Sequence, residues 1–249
     1  MYRERLVATD VHSENANRLK HLLLSYHDFR YHKADHPLRE LSQAVADWQA
    51  GRLKQTHQDL YADPGYHTGL EFLLTDLYAP AGMTRRDDNI DRVFPKMVKW
   101  LPDHLLGTLA GLVELNLVTQ RLDLSLAETL WQQGIDVTSL NEGAYTQAYR
   151  SSGDWEQRQR QLALVADTGR ELDRYVRNRT LGWLLAMAKG PAEMADLSDL
   201  HGFLHRGYSA FREMADVEAL IDRLIRREQQ ILDNLRAGHP DPFVLSDQA

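Results

Sequence analysis

Leu162, Val165, Gly169, Leu172, Val176, Thr180, Trp183 and Met187 recur at intervals of three or four residues. Only an α-helix brings that spacing to one side, and a seam of this kind must be covered by another element. The pattern is not local to this stretch. Leu19, Leu22, Leu23, Tyr26 and Phe29 repeat it near the N-terminus, and Val217, Ile221, Leu224, Ile231 and Leu235 repeat it near the C-terminus. Alternating strand patterns are scarce and β-branched residues are few, so the expected fold class is all-α.

Breaks between the periodic stretches set the element order. Ser13 caps a first helix reaching about His32, and Asp35-His36-Pro37 ends it. A second helix covers Leu38 to about Leu53 and extends toward Tyr61. Asp63-Pro64-Gly65 precedes a helix containing Phe72–Tyr78, which Ala79-Pro80-Ala81-Gly82 ends. Thr84 leads into a helix ending near Leu101, with Pro95 as a kink or restart. Asp103 to about Gln133 is the longest apolar helix, stopped by Gly134. A short helix over Asn141–Arg150 follows. A long one then starts at Asp154 and stops at Gly190-Pro191. Leu197–Met214 and Val217–Arg236 complete the set. The expected architecture is a single bundle of about eight or nine helices over residues 1–238. Ser151–Gly153 is the one minor candidate boundary, and 239–249 is expected to be a flexible tail.

Composition narrows the function classes. A chain of 249 residues suits one large domain or two small ones, and either buries a substantial core. The net charge of −7 gives no support to nucleic-acid or anionic-membrane binding, so neither partner is expected. There are no cysteines, which excludes disulfides, iron–sulfur clusters, thiolate zinc sites and a cysteine nucleophile. The N-terminus shows no apolar secretory core, and the apolar runs 105–118 and 181–188 are too short or broken to span a bilayer. The expected location is cytoplasmic.

Several charged residues fall on apolar faces. Asp76 sits one turn beyond Phe72 and Leu73. Glu114 has Ala110, Gly111, Leu117 and Val118 as face neighbours, and Glu228 has Leu224, Ile225, Ile231 and Leu232. Arg179 and Arg206 occupy comparable positions among Tyr175, Val176 and Trp183, and among Phe203 and Ala210. An ion facing a core needs a partner. These five residues are therefore the candidate polar cluster. They either converge on a binding pocket or pair off as structural arginine–carboxylate bridges.

Other motifs are weaker. Asp87-Asp88-Asn89-Ile90-Asp91 has the aspartate-rich spacing that holds magnesium in helical isoprenoid enzymes, but their second motif is missing, and acids at a helix start serve the dipole. His201 and His205 are one helical turn apart, as are His67 and Glu71, and these four are the metal-ligand candidates. No histidine has a glutamate three residues before it, which argues against a di-iron bundle. There is no Walker loop, no G-x-G-x-x-G and no G-x-S-x-G. No cofactor is favoured. The five tryptophans lie at helical spacing or near helix ends and are read as core and interface residues. Arg223, Arg226 and Arg227 are read as the solvated face of the last helix.

The stretch Phe72-Leu73-Leu74-Thr75-Asp76-Leu77-Tyr78 resembles, position by position, the signature of the FFLEELY-motif proteins, a bacterial family of uncharacterised function. The surrounding LYADPGYHTGLEFLLTDLYAP, RRDDNIDRVFPKMVKWLP and LAGLVELNLVTQRLDLSLA extend the resemblance over about residues 56–130. Thr75 and Asp76 stand where the signature has two glutamates. A metal site needing both carboxylates would be damaged by that change, whereas a single hydrogen-bonding or salt-bridging acid would survive it. The resemblance implies an all-helical bacterial cytoplasmic protein and carries no activity with it.

The function these residues favour is binding without chemistry, to another protein or a small ligand. The seam 162–187 is also suited to a homodimer. The alternative is a metal- or carboxylate-dependent enzyme using Asp76, Glu114 and Glu228 inside the bundle. Convergence of the acids separates the two.

Overall fold

A computed structural model of the chain describes residues 2–78, 84–177, 179–194 and 197–245; within its helices the side chains of 2, 76–78, 84–91, 179–181, 184 and 191 lie outside that description. The described residues form helices and no strands, so the fold is all-α. The helices are α1 (Tyr2–Ala8), α2 (Glu14–Ala34), α3 (Arg39–Thr56), α4 (Gln58–Ala62), α5 (His67–Phe72), α6 (Thr84–Trp100), α7 (Asp103–Gln132), α8 (Glu142–Ser152), α9 (Trp155–Val176), α10 (Arg179–Met194), α11 (Ser198–Glu213) and α12 (Val217–Ala237). A π-helical turn, Leu73–Tyr78, continues α5. No described helix is long and apolar enough to cross a membrane.

Twelve α-helices among the described residues exceed the eight or nine expected, for three reasons. Residues 2–8 form a helix of their own because Leu6 is fully buried against Leu19, Leu23 and Phe94. His57 separates α4 from α3 without any Gly or Pro to mark the break. The long helix expected from Asp154 is interrupted after Val176, where Arg177 turns and α10 leaves to pack on α11. Its three–four periodicity runs straight through that break, so the pattern hides it. The expected stop at Gly190-Pro191 does not end α10, which runs on to Met194. So close to a helix end, a proline forfeits little more than one hydrogen bond.

α7 is the axis of the bundle. Helices α2, α3, α8 and α9 pack on it, and α12 packs on α9. Gly111 on α7 permits the closest approach to α9, since a Cβ there would lie 2.6 Å from Thr168 Cγ2. Replacing Gly111 with Val is expected to cost about 1–3 kcal/mol by forcing the helices apart, read as a lowered thermal midpoint.

The caps follow the local chemistry. Ser13 Oγ accepts from the Ala16 amide at 3.2 Å, as the sequence predicts, and Asn141 and Asp216 cap α8 and α12 in the same way. Gly153, at φ 69°, is the left-handed C-cap of α8, so the candidate boundary at 151–153 is a helix end.

The described part of the tail, residues 239–245, folds back on the bundle. Leu245 is buried, Phe243 packs beside Trp48 and Tyr145, and Asn234 Nδ2 donates to the Pro242 carbonyl. The two apolar residues outweigh the Pro- and Asp-rich composition. The tryptophans divide between core and surface. Trp48 stacks on Tyr145 at 3.8 Å and Trp155 packs on the core, whereas Trp100, Trp131 and Trp183 are exposed. The seam divides accordingly: Gly169 and Val176 are covered, and Trp183 and Met187 face solvent.

Candidate functional site

A cavity of about 380 Å³ lies between α2, α3, α7, α9 and α12. That falls within the range of roughly 300–1,000 Å³ usual for small-molecule pockets. One end is apolar. Leu162, Val165 and Leu172 on α9 face it, with Phe211, Ile221 and Leu224. Leu73 and Leu74 close it, so the π-helical turn of the FLLTDLY stretch forms part of the wall. The other end is polar, and carries Lys33, Gln49, Arg52, His57, Asp123 and Glu228.

The polar end is built on two centres. In the first, Arg52 Nη1 on α3 donates to both oxygens of Glu228 on α12, at 2.6 and 2.7 Å. His57 Nε2, at the end of α3, lies 2.9 Å from Glu228 Oε1. Side-chain exposure is only 8% for Arg52, 4% for His57 and 14% for Glu228. Burial alone would raise the Glu228 carboxyl. The charge of Arg52 and the hydrogen bonds from His57 and Arg52 outweigh burial and hold it down at about 2. Burial lowers the Arg52 guanidinium, but the charge and hydrogen bond of Glu228 raise it further than burial lowers it. Arg52 Nε and His57 Nδ1 have no hydrogen-bond partner among the described residues.

The second centre is Asp123 on α7. Burial pushes its carboxyl up to about 7, against the opposing charges of Lys33 on α2 and Arg158 on α9. Burial likewise lowers the Lys33 ammonium, which Asp123 partly restores. Lys33 Nζ donates to Gln120 Oε1 at 3.3 Å, and Gln161 donates to Thr119 at 2.7 Å across the α7–α9 contact. Arg158 is buried behind this wall, its guanidinium 3.5 Å from the centroid of the Tyr149 ring, and its Nε and Nη2 have no partner among the described residues. The Tyr145 hydroxyl donates to Gln49, and burial raises its pKa.

Among the described residues, the candidates drawn from the sequence do not gather at one site. Glu228 lines the cavity. Glu114 faces away from it and bridges Arg18 at 2.5 Å and Arg160 at 2.6 Å, tying α2 and α9 to α7. The arginine partners of these two acids among the described residues are thus Arg52, Arg18 and Arg160. Arg206 is exposed on α11. The side chains of Asp76 and Arg179, and those of Asp87, Asp88 and Asp91, lie outside the described residues. His201 Nε2 donates to the Leu185 carbonyl at 2.8 Å, and His205 is exposed. His67 Nδ1 donates to the Tyr61 carbonyl at 2.9 Å, while Glu71 is 3.6 Å from Lys54. Among the described residues no three His, Asp or Glu side chains come together as a metal site.

Sequence reading passed over Asp123, Arg52, Lys33, His57 and Arg158. Asp123 was findable, since Leu126 and Ala127 lie one turn beyond it on the same face. Arg52 was not. Its neighbours at three and four residues are Trp48, Gln49, Gln55 and Thr56, which look like a polar surface.

The family model described as Domain of unknown function (DUF8198) matches residues 28–242. No curated protein and no solved structure matches the chain.

Proposed function

Taking as premise that the chain belongs to the DUF8198 family, we propose that it binds a small amphipathic molecule inside the helical bundle. The single observation that supports this reading is the cavity of about 380 Å³, apolar over most of its wall and charged at one end. Apolar body and polar head would each find a matching environment there, which is the usual composition of a ligand pocket. The two buried nitrogens left without partners, Arg52 Nε and His57 Nδ1, sit on residues of this wall. Unpaired buried polar atoms are costly, and a ligand that satisfied them would recover that cost. Binding without chemistry is favoured over catalysis, because Glu114 and Glu228 do not share a site: each is held by its own arginines.

The test uses octanoate, 1-octanol and octylamine as probes of one tail length with three heads. Each buried methylene contributes about 0.8 kcal/mol, so an octyl tail suffices for a measurable affinity. At least one probe is expected to raise the thermal midpoint of the wild-type chain and to titrate calorimetrically with saturation. Val165→Phe, which fills the apolar end, is expected to abolish both effects while the variant remains folded. Absence of any shift with all three probes, in wild type and variant alike, would defeat the reading.

A further inference from the structure

Resting on that ligand-binding reading, we propose that the head group this cavity accepts is a carboxylate, seated at the end formed by Lys33, Arg52 and Asp123. The first support is the charge inventory. Lys33, Arg52 and the buried Arg158 face two carboxylates, Asp123 and Glu228. Glu228 is consumed by Arg52, which donates to both of its oxygens, and by His57. Asp123 is left alone with two cations, Lys33 and Arg158. The polar end thus carries a surplus of positive charge even with Asp123 ionised, and Arg30 and Lys54 also line the cavity. An anionic head offsets that surplus, and a cationic head would add to it.

The second support is the type of the unpaired atoms. Arg52 Nε, Arg158 Nε and Arg158 Nη2 are buried without hydrogen-bond partners among the described residues, and guanidinium nitrogens only donate. A ligand supplying acceptor oxygens complements Arg52 Nε, and one supplying an ammonium does not. Asp123 supplies a further recognition element. Burial holds its carboxyl near neutrality, so in its protonated form it offers an O–H to an incoming carboxylate oxygen. The charged groups acting on Asp123 are Lys33 from α2 and Arg158 from α9, with the Tyr145 hydroxyl of α8 in the same field. Leu73, Leu162, Val165, Leu172, Ile221 and Leu224 offer the tail of the ligand an aliphatic stretch of the wall.

The experiment is calorimetric titration of the full chain at pH 7 with octanoate, 1-octanol, octylamine and octyl phosphate. Octanoate is expected to bind about tenfold or more tighter than 1-octanol, and octylamine weakest, the size of effect given by one charge-assisted hydrogen bond. Lys33→Met is expected to remove that advantage while 1-octanol binding stays within about twofold, which also shows the variant folded with its cavity intact. Equal binding of octanoate and 1-octanol would overturn the carboxylate assignment and leave the ligand-binding reading standing. Tighter binding of octyl phosphate or octylamine than of octanoate would overturn it as well. Failure of every probe, with Val165→Phe behaving as wild type, would bring down the ligand-binding reading and this inference with it.

Discussion

Glu228→Gln is expected to lower the free energy of unfolding by about 3–5 kcal/mol, the usual cost of removing one partner from a buried ion pair. The substitution keeps the volume of the side chain and removes its charge. Arg52 then stays charged, at 8% exposure, with an amide oxygen where two carboxylate oxygens had been. His57 loses the same counter-charge at 2.9 Å. Urea unfolding at pH 7 measures the effect. Removing both charges in Arg52→Met/Glu228→Leu is expected to restore more than half of the lost stability, because no unpaired ion remains. A loss below about 1 kcal/mol in the single variant would mean that water reaches the pair and the polar end is not sealed. The pair also sets a pH dependence. The Glu228 carboxyl is depressed in the folded chain, to about 2 against an ordinary 4.5. Its contribution is therefore complete above about pH 4.5 and disappears as the pH falls toward 2.

Asp123→Asn is expected to act in the opposite direction and to stabilise the protein above neutrality. In the folded chain the carboxyl titrates near 7 against an ordinary 3.8, so the folded state binds the proton more tightly than the unfolded state. Stability then falls as the pH rises from about 4 to about 7, by roughly 4 kcal/mol in total. Asparagine stands in for the protonated acid at every pH and suffers no such loss. The gap between variant and wild type should widen by roughly 3 kcal/mol from about pH 5 to about pH 8. Denaturant titrations at those two pH values read it directly. A gap independent of pH would show that Asp123 is hydrated and ionised, and would remove the proton-bearing group from the polar end of the cavity.

Two of the paired acids were readable from single helices, but their partners were not. The face test at three and four residues singles out Glu114 and Glu228 among apolar neighbours, and both are indeed held by arginines in the fold. The partners themselves are remote. Arg18 lies 96 residues from Glu114, and Arg52 lies 176 residues from Glu228. Arg52 has polar neighbours on its own helix, so its burial and its pairing with Glu228 of α12 appear only in the assembled bundle. The histidine pairs show the converse. His201 and His205 have chelating spacing, but the spacing says nothing of the Leu185 carbonyl that takes the His201 proton.

Helical periodicity, the caps at Ser13 and Asn141 and the stops at Gly134 and Gly153 are properties of a few consecutive residues. Local patterns are therefore enough for the fold class and most helix ends, and they single out Glu228 on the cavity wall. The interruption after Val176 and the burial of Leu6 and Leu245 depend on what the neighbouring helices offer. So does the cavity. Its polar end joins residues from α2, α3, α7 and α12, and its charge states follow from burial, which no local pattern encodes. Desolvation is a property of the assembled bundle, and only the tertiary structure decides which charges are shut away from water and which of them face one another.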